Sequence, residues 1–97
     1  MEIYEVVNDV LPDRNLYLLD FYASWCNPCK MMAKVLEDME SDVPVYKVNI
    51  EENMELAKKY NVRGVPTLAM MKDGEVSEQK SGFMKESELT AFIESNK

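Results

Sequence analysis

Apolar residues fill nearly every position from Leu16 to Tyr22, with one carboxylate, Asp20, inside the run. That density predicts a strand buried on both faces, at the centre of a helix-covered sheet. From Met31 to Met39 the pattern changes to helical spacing. Met32, Val35, Leu36 and Met39 form an apolar stripe, and Lys34, Glu37, Asp38 and Glu40 a wet face. Ser41-Asp42 ends this helix, and Val43 to Ile50, with Pro44 near its start, reads as a second strand. A strand, helix, strand order at this spacing implies parallel neighbours joined by a right-handed crossover. Acids at Glu51 and Glu52 and a capping residue at Asn53 open another helix, which buries Leu56, Ala57 and Tyr60. Asn61 suits the left-handed position that terminates it. Val62 to Pro66 connects to a third strand, Thr67 to Met71. Asp73-Gly74 then sits between two strand-like runs, a hairpin signal, and makes Val76 to Gly82 an antiparallel edge strand. Met84 to Asn96 closes the chain as a helix burying Leu89, Phe92 and Ile93. Before all this, Ile3 to Val7 is a short edge-strand candidate, and Asn8 to Asn15 reads as a short helix or turn. The predicted order is β-α-β-α-β-α-β-β-α, an α/β fold with one mixed sheet between helices and a single domain over residues 1–97.

Composition narrows the function classes. Of 97 residues, 46% are hydrophobic and 30% charged, ordinary for a globular protein. The net charge is −7 with no basic cluster, which argues against binding nucleic acid or an anionic membrane. No apolar run approaches the roughly 20 residues that span a bilayer. Met1-Glu2-Ile3-Tyr4-Glu5 is acidic and unlike a signal peptide, so a cytoplasmic location is expected.

The chemistry gathers at Trp25-Cys26-Asn27-Pro28-Cys29-Lys30, which holds the only two cysteines. They stand where the strong strand gives way to the first helix. Residues i and i+3 of a helical turn share one face, close enough for an S–S bond. A helix start also offers free N–H groups and the positive end of the dipole, which stabilise a thiolate, the form that attacks disulfides. A purely structural disulfide closing so short a loop would contribute only about 2 kcal/mol. Zinc needs four ligands, and two cysteines without a histidine supply half of them. A pair that cycles between dithiol and disulfide is the reading that uses the position best.

In these residues the chain resembles the thioredoxin family. The match runs through Leu19-Asp20-Phe21-Tyr22-Ala23, Trp25 to Met31, Lys47, Arg63-Gly64-Val65-Pro66-Thr67, Asp73-Gly74 and Gly82, in order, from Leu16 to the carboxyl end. The resemblance implies a thioredoxin-like fold and a thiol–disulfide oxidoreductase that reduces protein disulfides and is recycled by a thioredoxin-reductase-type enzyme. It implies no cofactor, no metal and a monomer. Cys26 would be the exposed attacking thiol, and Cys29 the more buried resolving thiol. Trp25, Asn27 and Pro28 would shape the active turn. Pro66 matches the family's cis-proline, and with Gly64, Val65 and Gly82 would form a flat apolar docking surface. Asp20 matches the buried carboxylate that shuttles a proton for Cys29, and Lys47 its modulator. Three departures stand out: Asn27 where family members usually have glycine, Lys34 in place of a helix-kinking proline, and Lys85 where a serine often caps the last helix. Two other classes use the same features. One is a thioredoxin-like assembly or processivity subunit of a larger enzyme, and the other a glutaredoxin-like reductant recycled by glutathione. Tryptophan before the first cysteine favours thioredoxin.

Overall fold

Eight elements carry the chain in the computed structural model, which describes residues Met1–Lys97. They are β1 (Ile3–Glu5), β2 (Leu16–Tyr22), α1 (Asn27–Asp38), β3 (Val45–Asn49), α2 (Met54–Lys59), β4 (Thr67–Lys72), β5 (Glu75–Ser81) and α3 (Glu86–Glu94). The strands form one sheet in the order β1-β3-β2-β4-β5. β1, β3 and β2 run parallel, while β4 is antiparallel to β2 and β5 to β4. This is the mixed sheet expected, with β2 at its centre.

Period-two alternation along β2 divides the core. Leu18 points to one face, where Val45, Leu68 and Met70 meet Met32 and Leu36 of α1 and Leu89, Phe92 and Ile93 of α3. Tyr17, Leu19 and Phe21 point to the other, where Val48, Ala69 and Met71 pack with Leu56 of α2. Every residue from Tyr17 to Phe21 is therefore buried, Asp20 included. No helix is long and apolar enough to cross a membrane.

Several boundaries differ from the sequence pattern, each for a local reason. α1 starts at Asn27 rather than Met31, because Pro28 falls in its first turn, where the missing N–H costs nothing. β3 starts after Pro44, which cannot donate to a ladder, although its carbonyl accepts from the Leu18 N–H at 2.9 Å. Asn8 to Asn15 forms no helix. Asn8 and Asp9 have φ of 55° and 58°, left-handed backbone that short polar side chains tolerate and a helix does not. Asp73 and Gly74 form the expected hairpin, with positive φ at both (53° and 84°). Asn61, at φ 53°, ends α2 as predicted. α3 is shorter than expected, Glu86–Glu94, and the Glu88 carboxylate accepts from the Lys85 N–H at 3.2 Å in place of a serine cap.

The start of α2 is held from outside. Asn53 was expected to cap it, but its side chain turns inward and is buried. Its Oδ1 accepts from the Asp9 N–H at 2.8 Å, and its Nδ2 donates to the carbonyls of Asn49 (3.1 Å) and Val6 (3.4 Å). The cap is instead Asp9, whose Oδ1 accepts from the Leu56 N–H at 3.0 Å. Two segments more than forty residues apart thus satisfy one another's backbone groups.

Candidate active site

β2 ends at Tyr22, the chain turns through Ala23-Ser24-Trp25, and α1 begins with Cys26 as its N-cap. The Cys26 sulfur accepts from the Cys29 N–H at 3.1 Å, doing the work an oxygen does in an ordinary N-cap. Asn27 and Pro28 take the first two helical positions and are exposed. Cys29 follows one turn from Cys26, with their Cα atoms 5.2 Å apart and their sulfurs joined in a disulfide. An anionic sulfur at Cys26 would lie at the positive end of α1 with a backbone donor already aimed at it.

Burial at the disulfide departs from the sequence reading. Cys26 is 4% exposed and Cys29 3%, so the bonded pair shows no contrast in access. Both pack with Ala23 against Tyr22, Ile50 and Val65. The Cys26 sulfur also lies 3.6 Å from the Val65 carbonyl oxygen, which covers it from the far side of the turn.

That contact brings the second half of the site. The Val65–Pro66 peptide is cis, the geometry the family resemblance implies for Pro66. Its surroundings pin it. The Thr67 hydroxyl donates to the Gly64 carbonyl at 2.6 Å, and the Gly82 N–H donates to the Pro66 carbonyl at 2.8 Å. Gly82 does so from φ 102°, a backbone region in which only glycine is unstrained. Trp25, 66% exposed, joins Ile50, Val62, Arg63, Gly64 and Val65 around an open groove of about 350 Å³ beside the disulfide. A cleft of similar size between β5 and α3, about 380 Å³, lies with Phe83 and Phe92, whereas two lining residues of the groove at Val65, Ile50 and Val65, pack against Cys26 and Cys29.

Asp20 lies in β2, two residues before the strand ends at Tyr22. It is fully buried, and neither carboxylate oxygen has a hydrogen-bond partner. Burial pushes its pKa up from 3.8 to about 7, against the nearby Lys47 charge, which lowers it; the Glu5 charge adds to the rise. Asp20, Lys47 and Glu5 occupy one row across β2, β3 and β1. The Lys47 ammonium sits over the Tyr22 ring, 4.6 Å from its centroid, instead of pairing with Asp20. Lys47 and Cys29 line the same small cavity, about 220 Å³, together with Tyr22, Ala23, Ser24, Lys30 and Ala33. The structure thus brings Cys26, Cys29, Trp25, Val65 and Pro66 together, and places Lys47 at the edge of the same cluster. Tyr22 and Glu5 are site neighbours that the sequence pattern left out. The one signal was the tyrosine that ends the central strand two residues after Asp20.

The chain is similar to known proteins along most of its length. A family model for thioredoxin matches residues 4–95. The thioredoxin of Pseudomonas aeruginosa is 45% identical over 92 residues, covering 91% of this chain and 85% of that protein. The thioredoxin of Bacillus subtilis is 42% identical over 80 residues, covering 78% and 77%. Among solved structures, a mutant thioredoxin from Halobacterium salinarum superposes with a TM-score of 0.87 at 41% identity, over 98% of this chain and 90% of that one. The reduced thioredoxin pre-protein of Schistosoma mansoni gives 0.88 at 26% identity, over 100% of both chains. A sequence that keeps this fold along nearly its whole length and closes its two cysteines at the helix start belongs to the thioredoxin family, the protein thiol–disulfide oxidoreductases.

Proposed function

We propose that the protein acts as a single-domain, monomeric reductant of protein disulfides in the cytoplasm. The observation that carries this reading is the Cys26–Cys29 disulfide beside an open apolar groove, with a backbone carbonyl at hand in Val65. In the dithiol form the Cys26 thiolate attacks one sulfur of a substrate disulfide. A bond forms from Cys26 to that sulfur, and the other substrate sulfur leaves as a thiolate. Cys29 then gives its proton to the Asp20 carboxylate and attacks the Cys26 sulfur. This expels the second substrate thiolate and closes the Cys26–Cys29 bond. The substrate gains two electrons, the protein loses two, and water protonates the released thiolates. A dithiol enzyme of the thioredoxin-reductase type runs the same exchange backwards to recycle the protein.

Each neighbouring residue has a part. Trp25, Gly64, Val65 and Pro66 form the surface on which an extended substrate segment lies, and Gly82 anchors Pro66 from behind. Asn27 and Pro28 stiffen the turn, and Lys47 adjusts the charge beside Asp20. A carboxyl near neutrality suits the proton step, because a base is most useful when its pKa is close to the working pH. The test is the reduction potential of the Cys26–Cys29 couple together with turnover on a protein disulfide. A potential more negative than the cytosolic glutathione poise, with turnover abolished by Cys26→Ser, is expected. A more positive potential would make the protein an oxidant and sink the reading.

A further inference from the structure

Glu5, Lys47 and Asp20 are in register on three adjacent parallel strands, so their side chains leave the same face of the sheet. Strands lie about 4.8 Å apart, which puts Lys47 between two carboxylates roughly 10 Å from each other. An ammonium so placed would ordinarily be drawn to the buried one, where screening is weakest and an unpaired charge costs most. It is not drawn there. Both Asp20 oxygens stay without a partner, and the Lys47 nitrogen rests over the Tyr22 ring.

The other end of Tyr22 explains the arrangement. Its hydroxyl donates to Glu5, 3.0 Å from Oε1 and 3.1 Å from Oε2, and so fixes a carboxylate on an otherwise exposed edge strand. The phenol remains a donor at any working pH, its pKa pushed up to about 12 by burial first and by Glu5 second. One side chain therefore holds an anion at its tip and a cation on its face. The other charged neighbours are few. On β4 the row continues with apolar Leu68, and beyond it lies Lys80 of β5. From α1, Cys29 and Lys30 reach the shared cavity, and Glu52 acts on Tyr22 from the loop before α2.

We propose that Glu5, clamped by the Tyr22 hydroxyl, is a positioning residue for thiol–disulfide exchange: it holds the Lys47 ammonium away from Asp20 and so leaves Asp20 free to exchange a proton with Cys29. Lys47 locked onto Asp20 would keep the carboxylate permanently charged and poorly basic. With the Glu5 charge on its other side, the ammonium rests on the Tyr22 ring, paired with neither carboxylate, and Asp20 keeps its affinity for a proton. This rests on the proton role given to Asp20 above, and the experiment separates the two.

The carboxyl carbon of Asp20 is followed by NMR across pH in the oxidised protein, where no thiol titrates. Wild type, Glu5→Gln, Tyr22→Phe, Lys47→Met and the Glu5→Gln, Lys47→Met double variant are compared. Glutamine keeps an acceptor for Tyr22 and removes only the charge. Glu5→Gln is expected to lower the Asp20 midpoint by about half a pH unit, or about threefold in proton affinity. Tyr22→Phe moves it in the same direction, and Lys47→Met raises it. In the Lys47→Met background the Glu5→Gln effect shrinks by half or more if Glu5 acts through Lys47. In parallel, the pH dependence of mixed-disulfide resolution is measured, and its acid limb should move down with the midpoint. An unmoved midpoint in Glu5→Gln overturns the proposal, and an undiminished effect without Lys47 overturns the part assigned to that residue. A midpoint that falls in Glu5→Gln but not without Lys47, while the rate profile stays put, upholds Glu5's hold on Lys47 and instead refutes Asp20 as the proton acceptor.

Discussion

Replacing Asp20 with asparagine removes a titrating group and keeps its shape. In the folded protein the carboxyl takes up its proton at about 7, against 3.8 when unburied. The folded state holds that proton more tightly, so stability contributed by this group is fully present below the unfolded value and is lost as pH rises through the folded one. A difference of about 3 units corresponds to about 4 kcal/mol. Protonated Asp20 and an asparagine both lack partners in this pocket, so the two proteins should be of similar stability near about pH 4. By about pH 8 the wild type carries a buried charge, and Asp20→Asn should be the more stable by several kcal/mol, up to that 4. Urea unfolding of both oxidised proteins across this range measures it. The disulfide keeps the cysteines from titrating, and an unchanged m-value shows that the same surface is exposed. All other groups titrate alike in the two proteins and cancel. Stability curves that run parallel from acid to neutral pH would refute the reasoning, because Asp20 would then ionise without cost.

Alkylation of the reduced protein at neutral pH should modify Cys26 faster than Cys29, and Cys29→Ser should trap a mixed disulfide with substrate; equal rates would reverse the assignment of roles. Asn27→Gly removes an exposed side chain from the first helical position. It should shift the reduction potential by less than about 30 mV, the tenfold mark for this couple, as read by equilibration with a glutathione buffer. Asn53→Ala strips a buried amide that makes three hydrogen bonds. Its unfolding free energy should fall by about 2–4 kcal/mol in urea titrations, and a loss under about 0.5 kcal/mol would show that water replaces the amide readily.

The parts of the fold visible in the sequence were those whose signals are local. The apolar run around Asp20 placed the central strand, Asp73-Gly74 placed the hairpin, and Asn61 placed the end of α2. The cysteine spacing marked the reactive turn at a helix start, while the apolar stripe taken alone began only at Met31. Hidden was the cap itself, a cysteine sulfur, with Pro28 as the second helical residue. Features made by partners distant in sequence were hidden. Asn53 has the right chemistry for a cap, and nothing nearby reveals that Asp9 takes that place. Glu5 looks like any solvated acid until β1 pairs with β3 and sets it in the row of Lys47 and Asp20. The near-equal burial of the two cysteines was likewise out of reach, because it depends on Val65 lying across the Cys26 sulfur.

The exchange between Asp9 and Asn53 has a bearing on the order in which the chain assembles. α2 has only six residues, well short of the roughly 12–15 that an isolated helix needs to persist in water. Its first turn obtains a cap only when the segment after β1 is in place, so α2 is expected to form together with that segment rather than before it. The helix leads directly into Val62–Pro66, the segment beside the disulfide. Deleting the first ten residues should therefore be felt at the reactive turn, as faster amide hydrogen exchange through α2 and a less ordered Val65, although none of the deleted residues touches either sulfur.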